Sequence, residues 1–349
     1  MKIGLNIGYW GAGNDSTNLE LAREADRLGF SVVWVAEAYG SDAATVLGWL
    51  AARTERIDLG SAILQIPARR PTMTAMTAAT LDNLSGGRFR LGLGVSGPQV
   101  SEGWYGVPFG KPVARTREYV DIVRKALRYE RVRYDGAHFR LPLPGGPGKA
   151  LPLAVPPVRE HLPLYLATLG PRNLELTGEI ADGWLGLFFS PEHGRESLDR
   201  IRAGRAKTGA TLDGFDVATT VPLAVGDDWR SAADYARPYV AGFVGGAGSR
   251  EKNFYRDLMA RMGYEAAADE VRERYLTMDY DGAMAAIPTE FLDQTSLLGP
   301  KQRIADRMQA LAEAGVTTLA LSPTHPDPET SKAALRVAAE ALDASGDGD

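Results

Sequence analysis

The stretch that most limits how this chain can fold is residues 57–98, IDLGSAILQIPARRPTMTAMTAATLDNLSGGRFRLGLGVSGP. Ile57–Ile63 is a short apolar run, the pattern of a strand buried on both faces. Pro71–Leu84 reads as a helix. Proline takes the first helical position, where its missing N–H costs nothing, and Met73, Met76, Thr80, Leu81 and Leu84 fall on neighbouring faces. Ser85-Gly86-Gly87 stops that helix, and Phe89–Val95 is a second apolar strand. Strand, helix and strand in this order form a right-handed crossover between parallel strands. The second strand runs into Gly94-Val95-Ser96-Gly97-Pro98, where glycines and a hydroxyl leave backbone amides free for an anion.

The rest of the chain repeats the unit. Lys2–Gly8 is a first strand. Thr17-Asn18-Leu19-Glu20 has capping-box spacing, and Leu21, Ala22, Ala25 and Leu28 form the buried stripe of a helix ending at Gly29. Val32–Ala36 and Ala43–Arg53 make the second pair. Pro112–Glu130 is a long amphipathic helix with Tyr119, Ile122, Val123, Ala126 and Leu127 turned inward. Leu164–Ala167, Arg172–Ala181, Trp184–Phe188, Glu192–Lys207, Val217–Val225, Lys301–Ala314, Val316–Leu321 and Ser331–Leu342 continue the alternation. Eight strand–helix pairs predict an α/β fold, a (β/α)8 TIM barrel, with residues 1–349 as one domain.

Two segments break the rhythm. Residues 131–162 hold a small hairpin with an Asp135-Gly136 turn and a Pro/Gly-rich stretch. Because they join a helix to the next strand, they are expected on the face opposite the active site. Residues 226–299 follow a strand, so they are expected on the catalytic face. Tyr235, Phe243, Phe254, Tyr255, Tyr264 and Tyr275 give that segment enough apolar surface to pack as a helical lid over substrate.

Composition narrows the function classes. Hydrophobic residues make up 44% of the chain and charged residues 24%, and the net charge is −5. That balance argues against a nucleic-acid or anionic-membrane binder. With no cysteine there is no disulfide, no thiolate nucleophile and no Cys-based metal site. The four histidines have no metal-ligand spacing, so no metal is expected. MKIGLNIGYW enters a strand without a signal-like apolar core, and no run reaches the roughly 20 apolar residues of a membrane span. The expected location is cytoplasmic.

LGSAILQIPARRP, TLDNLSGGRF and LGLG, together with VWVAEAYGSDA at 33–43, LGPRNLELTGEIADGW at 169–184 and LLGPKQRIADRMQALAEAGV at 297–316, resemble the luciferase-like superfamily. Within it the similarity is greatest to oxidoreductases that use the deazaflavin coenzyme F420, the methylenetetrahydromethanopterin reductase branch included. The resemblance implies hydride transfer between the deazaflavin C5 and a small organic substrate. An FMN-dependent two-component monooxygenase of the same superfamily is the alternative enzyme, and a non-catalytic flavin- or deazaflavin-binding relative the alternative without chemistry. The resemblance also implies a homodimer paired through the barrel helices near strands two and three.

Candidate site residues follow from strand ends and from the resemblance together. Gly94, Val95, Ser96 and Gly97 after strand four, and Ala167, Thr168, Leu169, Gly170 and Pro171 after strand five, would hold the phosphate-bearing tail of F420. Exposed amides and the helix dipole suit that task, although glycines also serve ordinary tight turns. The resemblance places Glu37 beside the cofactor as a catalytic and cofactor-binding candidate; Ala38 stands where relatives often have His, and a strand-end carboxylate can instead be an ion-pair partner. It likewise implies a bulge at Ser61-Ala62-Ile63, with a non-prolyl cis peptide behind the ring; the residues alone also suit a plain buried strand. His325 follows strand eight on the face suited to an acid or base and is the second catalytic candidate, though a loop histidine is more often just solvated. Trp10, Tyr39, Gln65, Gln99 and Trp104 are candidates for lining the substrate side or finishing the core. Arg69-Arg70 reads as a solvated helix entrance in preference to a contact with an anionic tail.

Overall fold

A computed structural model describes residues 1–10, 15–249 and 252–345. Eight parallel strands close into a ring: β1 (Lys2–Asn6), β2 (Val32–Val35), β3 (Asp58–Ser61), β4 (Phe89–Gly94), β5 (Leu164–Ala167), β6 (Gly183–Leu187), β7 (Asp216–Val225) and β8 (Thr318–Pro323). β8 pairs with both β1 and β7, and β6 pairs with β7, so no strand edge is left open. The outer helices are α1 (Asp15–Arg27), α2 (Ala43–Ala51), α3 (Pro71–Leu84), α4 (Pro112–Leu127), α5 (Pro171–Ile180), α6 (Arg195–Ala206), α7 (Lys301–Glu313) and α8 (Pro328–Ser345). This is the barrel that the alternation predicts. α1 already begins at Asp15, so Thr17 lies inside its first turn and does not cap it.

Period-two alternation along each strand sends one residue set to the helices and the other to the lumen. The lumen is filled by Val32, Trp34, Tyr165, Ala218 and Ala320. Trp34 fits because Gly60 faces it: a Cβ there would stand 2.2 Å from the indole. The N-terminal end of the ring is closed by charge. Arg90 bonds Asp58 at 2.8 Å and Asp216 at 3.3 Å. Tyr165, Thr317 and Thr318 donate to the same Asp216 at 2.9, 2.6 and 2.8 Å. That part-buried network spans the mouth at the N-terminal ends of the strands.

α3 spans the residues that the sequence predicts but buries a different face. Thr74, Ala75, Ala78, Ala79 and Leu81 pack inward, whereas Met73, Met76 and Leu84 are exposed. Small side chains let the helix approach its neighbours closely, and the thioethers are left outside.

The 131–162 insertion departs from expectation. It leaves the ring at the C-terminal end of α4 but does not stay there. Lys125 bonds Arg133, Tyr134 bonds Asp121, and Glu118 accepts from the amides of Ala137, His138 and Phe139. The hairpin therefore climbs the outer wall of α4 toward its N-terminus, with Phe139 packed edge-on against Tyr119. Its return limb is anchored by Arg159, which bonds the fully buried carboxylate of Asp82. A helix running from the catalytic face downward gives the hairpin a rail back up, which connectivity alone does not reveal.

Residues 226–299 are mostly helical: Trp229–Ala241, Phe254–Met259, Glu265–Leu276, Tyr280–Ala285 and Thr289–Thr295. They build a core of their own around Val240, Val244, Met259, Val271 and Phe291, seated on Phe188 and Ala224 at the C-terminal ends of β6 and β7. Leu297–Gly299 then pairs with Leu223–Val225, an added strand that the sequence pattern does not separate from the insertion. Among the described residues no helix is long and apolar enough to cross a membrane.

The ring's last helix is tied to its first by Arg336–Glu24 (2.6 Å) and Lys332–Glu20 (3.0 Å). Hydrogen bonds from Arg27 and then Arg336 hold the Glu24 carboxyl at about 2, against an ordinary 4.5, with burial opposing them. A depressed carboxyl stabilises the fold above its unfolded value and ceases to do so as pH falls through its folded value. The two arginines are 62% and 49% exposed, so solvent screening reduces the effect to about 1 kcal/mol. Glu24→Gln is thus expected to lower stability by about 1 kcal/mol at pH 7. The difference from wild type should shrink below pH 4.5 and vanish near pH 2; urea melts across that range check it.

Candidate functional site

The open mouth of the barrel is built from strand ends, and β3 shapes it first. After Ser61 the chain leaves the ladder, and pairing with β4 resumes at Leu64↔Leu93. In the gap the Ser61 hydroxyl donates to the Gly92 carbonyl (2.8 Å) and accepts from the Gly92 amide (2.9 Å). One side chain thereby stands in for the missing ladder bonds, and Ser61 is fully buried. The Ala62–Ile63 peptide is cis. Ile63 lies over Gly94, where a Cβ would come 2.9 Å from its Cδ1, so a side chain at 94 would push Ile63 aside.

Glu37, at the end of β2, is 5% exposed at its side chain and accepts from the Ala43 amide at 3.1 Å. Both of its oxygens are engaged by Arg69, whose second nitrogen bonds Oε2 at 2.9 Å while also reaching Asp42. Burial works against the charge on Arg69, but the bonds from Glu37 outweigh it and hold the guanidinium above its usual range. Arg69 is therefore not the solvated helix entrance expected; Arg70 is the exposed one of the pair. Beside this ion pair, Gln65 donates to the Ala38 carbonyl (2.7 Å), and the Tyr105 hydroxyl donates to the same oxygen (3.1 Å). Burial, then the nearby Glu37, pushes the Tyr105 phenol up, so it keeps its proton at neutral pH. Gln65 Oε1 is buried with no partner.

The two glycine loops lie side by side, since Gly94 pairs with Ala167. Ser96 has φ +61 and opens the turn into the short helix Pro98–Gly103, which the sequence pattern does not reveal. Val95, Ser96, Gly97 and Leu169 are half-buried. The Thr168 hydroxyl bonds Thr177 at 2.8 Å and its carbonyl accepts from Trp184 at 2.9 Å, which pins the second loop to α5 and β6. Gly170 then caps α5 ahead of Pro171 with φ −85, an ordinary value for any residue. A Cβ built there meets nothing within 4 Å. At Gly97, φ is −121, and a Cβ would crowd the far end of Gln99, whose Oε1 is buried and unpartnered, and meet Gly248 at an ordinary 3.9 Å. The fold itself requires glycine at neither position. Both keep space free at the mouth, and the unpartnered oxygens of Gln65 and Gln99 can accept from N–H or O–H donors of a polar ligand there.

On the opposite side of the mouth, Asn6 bonds Thr220 (3.2 Å) and its carbonyl accepts from Ser322 (3.3 Å). Above them the insertion brings Tyr239, Phe243 and Tyr255, with ring centroids 5.0 and 4.9 Å apart in sequence. The pattern reading placed Phe243 and Tyr255 in the lid but missed Asn6, Thr220, Tyr239 and Ser322; the signal available was Asn6, a polar residue at a lumen position. Tyr39 and Trp104 are exposed at the rim. Trp10 instead packs edge-on against Trp49 of α2 at 5.0 Å and finishes the core. His325 is also directed elsewhere. Its ring lies 4.6 Å from that of Tyr235, and its Nδ1 accepts from the Asp327 amide at 3.1 Å. No contact among the described residues joins it to Glu37.

A family profile described as luciferase-like monooxygenase matches residues 11–318. The chain belongs to the luciferase-like family. This luciferase-like oxidoreductase is 43% identical, over 92% of its length and 95% of the relative's, to a Mycobacterium tuberculosis protein named, provisionally, a coenzyme F420-dependent oxidoreductase. It is 30% identical to 5,10-methylenetetrahydromethanopterin reductase of Archaeoglobus fulgidus, covering 88% of this chain and 90% of that one. Among solved structures, the F420-dependent tetrahydromethanopterin reductase from Methanopyrus kandleri superposes with a TM-score of 0.81 at 24% identity over 98% of both chains, which shows that the luciferase-like barrel is shared.

Proposed function

We propose that this oxidoreductase uses coenzyme F420 to transfer a hydride to or from a small organic substrate. The observation that carries the reading is the pair of glycines at 97 and 170, kept at adjacent strand ends where the fold does not demand them. The Mycobacterium tuberculosis relative's name supports the choice of cofactor. When bound, the deazaflavin supplies a two-electron hydride at C5.

The chain's own residues then bind, orient and exclude water. Gly94–Gly97 and Leu169–Pro171 would hold the phosphate through backbone amides. Ala62 and Ile63 would back the ring. Glu37, with both oxygens engaged by Arg69, fixes the β2 and β3 ends as a positioning group. Tyr105, Gln65 and Gln99 supply hydrogen-bonding atoms, and the helical insertion covers the mouth as a lid.

Parallel fluorescence titrations with F420 and FMN test this. F420 is expected to bind at least about tenfold more tightly, a difference of roughly 1.4 kcal/mol. Gly170→Phe should weaken F420 by a similar factor while leaving the denaturant midpoint unchanged. Tighter binding of FMN, or equal loss of binding and stability in the variant, would remove the reading.

The same proposal includes a homodimer through α2 and α3. Trp49 on α2 and Met73, Met76 and Leu84 on α3 are large apolar side chains left exposed on these helices. Sedimentation should show a dimer at micromolar concentration, and Met73→Glu/Met76→Glu should yield monomer; a wild-type monomer across all concentrations contradicts it.

A further inference from the structure

A cavity of about 510 Å³ lies at the outer rim of the mouth, between the first turn of α3 and the hairpin that climbs α4. Its size is ordinary for a small-molecule site. Glu118 on α4 holds the hairpin in place, accepting from the amides of Ala137, His138 and Phe139 at 2.9, 2.8 and 3.0 Å. Phe139 meets Tyr119, whose hydroxyl bonds Thr74 at 2.5 Å and donates to the Arg69 carbonyl at 3.2 Å. Tyr119 thus ties one wall to the other, and the gap between them is set by packed elements of the fold.

Two neighbouring arginines go to different places. Arg69 turns into the mouth and holds Glu37, whereas Arg70 is exposed and lines the cavity. Arg140 lines it from the hairpin side. Its partner Asp135 lies 3.4 Å away, with the two side chains 61% and 87% exposed, so the pair is weak enough for a ligand to displace. The start of α3 adds to the same sign. Arg70 is its N-cap residue without a side-chain cap, so amides of the first turn are left for other acceptors. His138 contributes to the wall, and its Nε2 is buried with no hydrogen bond among the described residues. None of the described lining residues is acidic, in a chain whose net charge is −5. The rest of the lining is largely apolar, with Pro71 and Phe139 at the walls and Leu141 and Leu143 beside them.

We propose that this cavity is a second binding site, for a small organic anion. Its oxyanion head, phosphate or carboxylate, sits between Arg70 and Arg140 at the start of α3, and its apolar body lies against Phe139, Leu141 and Leu143. Guanidinium forks match pairs of oxygens, which selects the head. Apolar walls gain from covering a hydrocarbon body, which an inorganic ion lacks. The inference goes beyond the cofactor reading and does not rest on it, because no residue lining this cavity belongs to the loops assigned to F420.

The test is calorimetric titration of the full chain, with and without F420, using phenyl phosphate and phenylacetate as probes. Benzyl alcohol serves as the neutral counterpart and inorganic phosphate as the head alone. At least one organic anion is expected to bind with Kd below about 1 mM, and about tenfold more tightly than benzyl alcohol or inorganic phosphate. Which of the two binds better identifies the head. Arg70→Met and Arg140→Met should each weaken that anion by about tenfold and leave F420 affinity unchanged. Both side chains are exposed, so both variants are expected to melt with wild type, and either one carries the comparison if the other does not fold. No saturation by either anion up to about 10 mM, binding no tighter than that of benzyl alcohol, or full affinity in the Arg70→Met/Arg140→Met double variant overturns the inference. Displacement of the anion by F420, with both arginine variants unaffected, places it in the mouth and overturns the inference as well. Should the protein ignore F420 yet bind the anion through the two arginines, the cofactor reading fails and this inference stands.

Discussion

Gly92→Ala is expected to destabilise the protein by about 3 kcal/mol or more, the top of the range for overpacking a core. The methyl group would lie 1.9 Å from the Ser61 carbonyl oxygen and 2.8 Å from Leu185 Cδ1. A side chain can rotate away from such a contact, but this obstacle is backbone. Its freedom is removed twice: the Ser61 hydroxyl is bonded to both polar groups of Gly92, and the Ala62 amide donates to the Val35 carbonyl at 2.8 Å. Relief would require β3 to move away from β4 at the point where it leaves the ladder, breaking bonds between buried groups that nothing else satisfies. Guanidinium denaturation checks the loss, with Gly170→Ala as the control, because its methyl enters open space at an ordinary φ. A loss under about 1 kcal/mol for Gly92→Ala would mean that the strand gives way easily. Gly92→Ala should also weaken cofactor binding, since Ala62 and Ile63 would be displaced with Ser61.

Arg69→Met is expected to cost about 3 kcal/mol, the lower end of what breaking a buried pair costs. The variant strands Glu37, a carboxylate almost out of contact with water whose only other bond is from the Ala43 amide. That remaining bond softens the loss, and Asp42, being exposed, adds little of its own, which is why the lower end is expected. The double variant Arg69→Met/Glu37→Gln should recover most of the stability, because removing both charges removes the desolvation penalty along with the attraction. Denaturant midpoints of wild type, both single variants and the double variant complete the cycle. A coupling energy below about 0.5 kcal/mol would show that the pair acts as an exposed one.

Gly92 and Arg69 also divide what could be read in the sequence from what could not. The alternation of short apolar runs with helices is a local property, set by backbone periods of 2 and 3.6 residues, and it carried the barrel and most element ends. Pro71–Leu84 and Leu164–Ala167 begin and end as their caps and patterns predict. The strand-end glycines were equally legible, since a ring of parallel strands puts every strand's C-terminus on one face.

The partners of those residues were not legible. Arg69 and Glu37 lie 32 residues apart and meet only because β2 and β3 are neighbours in the closed ring. The hairpin at 134–141 looked confined to the far face by connectivity, yet α4 offered Asp121 and Glu118 as a route back up. His325 lay after the right strand, but packing turned it against Tyr235. On α3 the apolar pattern offered two faces, and the one with small side chains was buried because close approach gains more contact than bulk held at a distance. By itself the sequence determined the order of strands and helices and the face that carries the loops. Which charges pair and which face packs were decided by the tertiary structure, because those energies depend on groups brought together only when the ring closes.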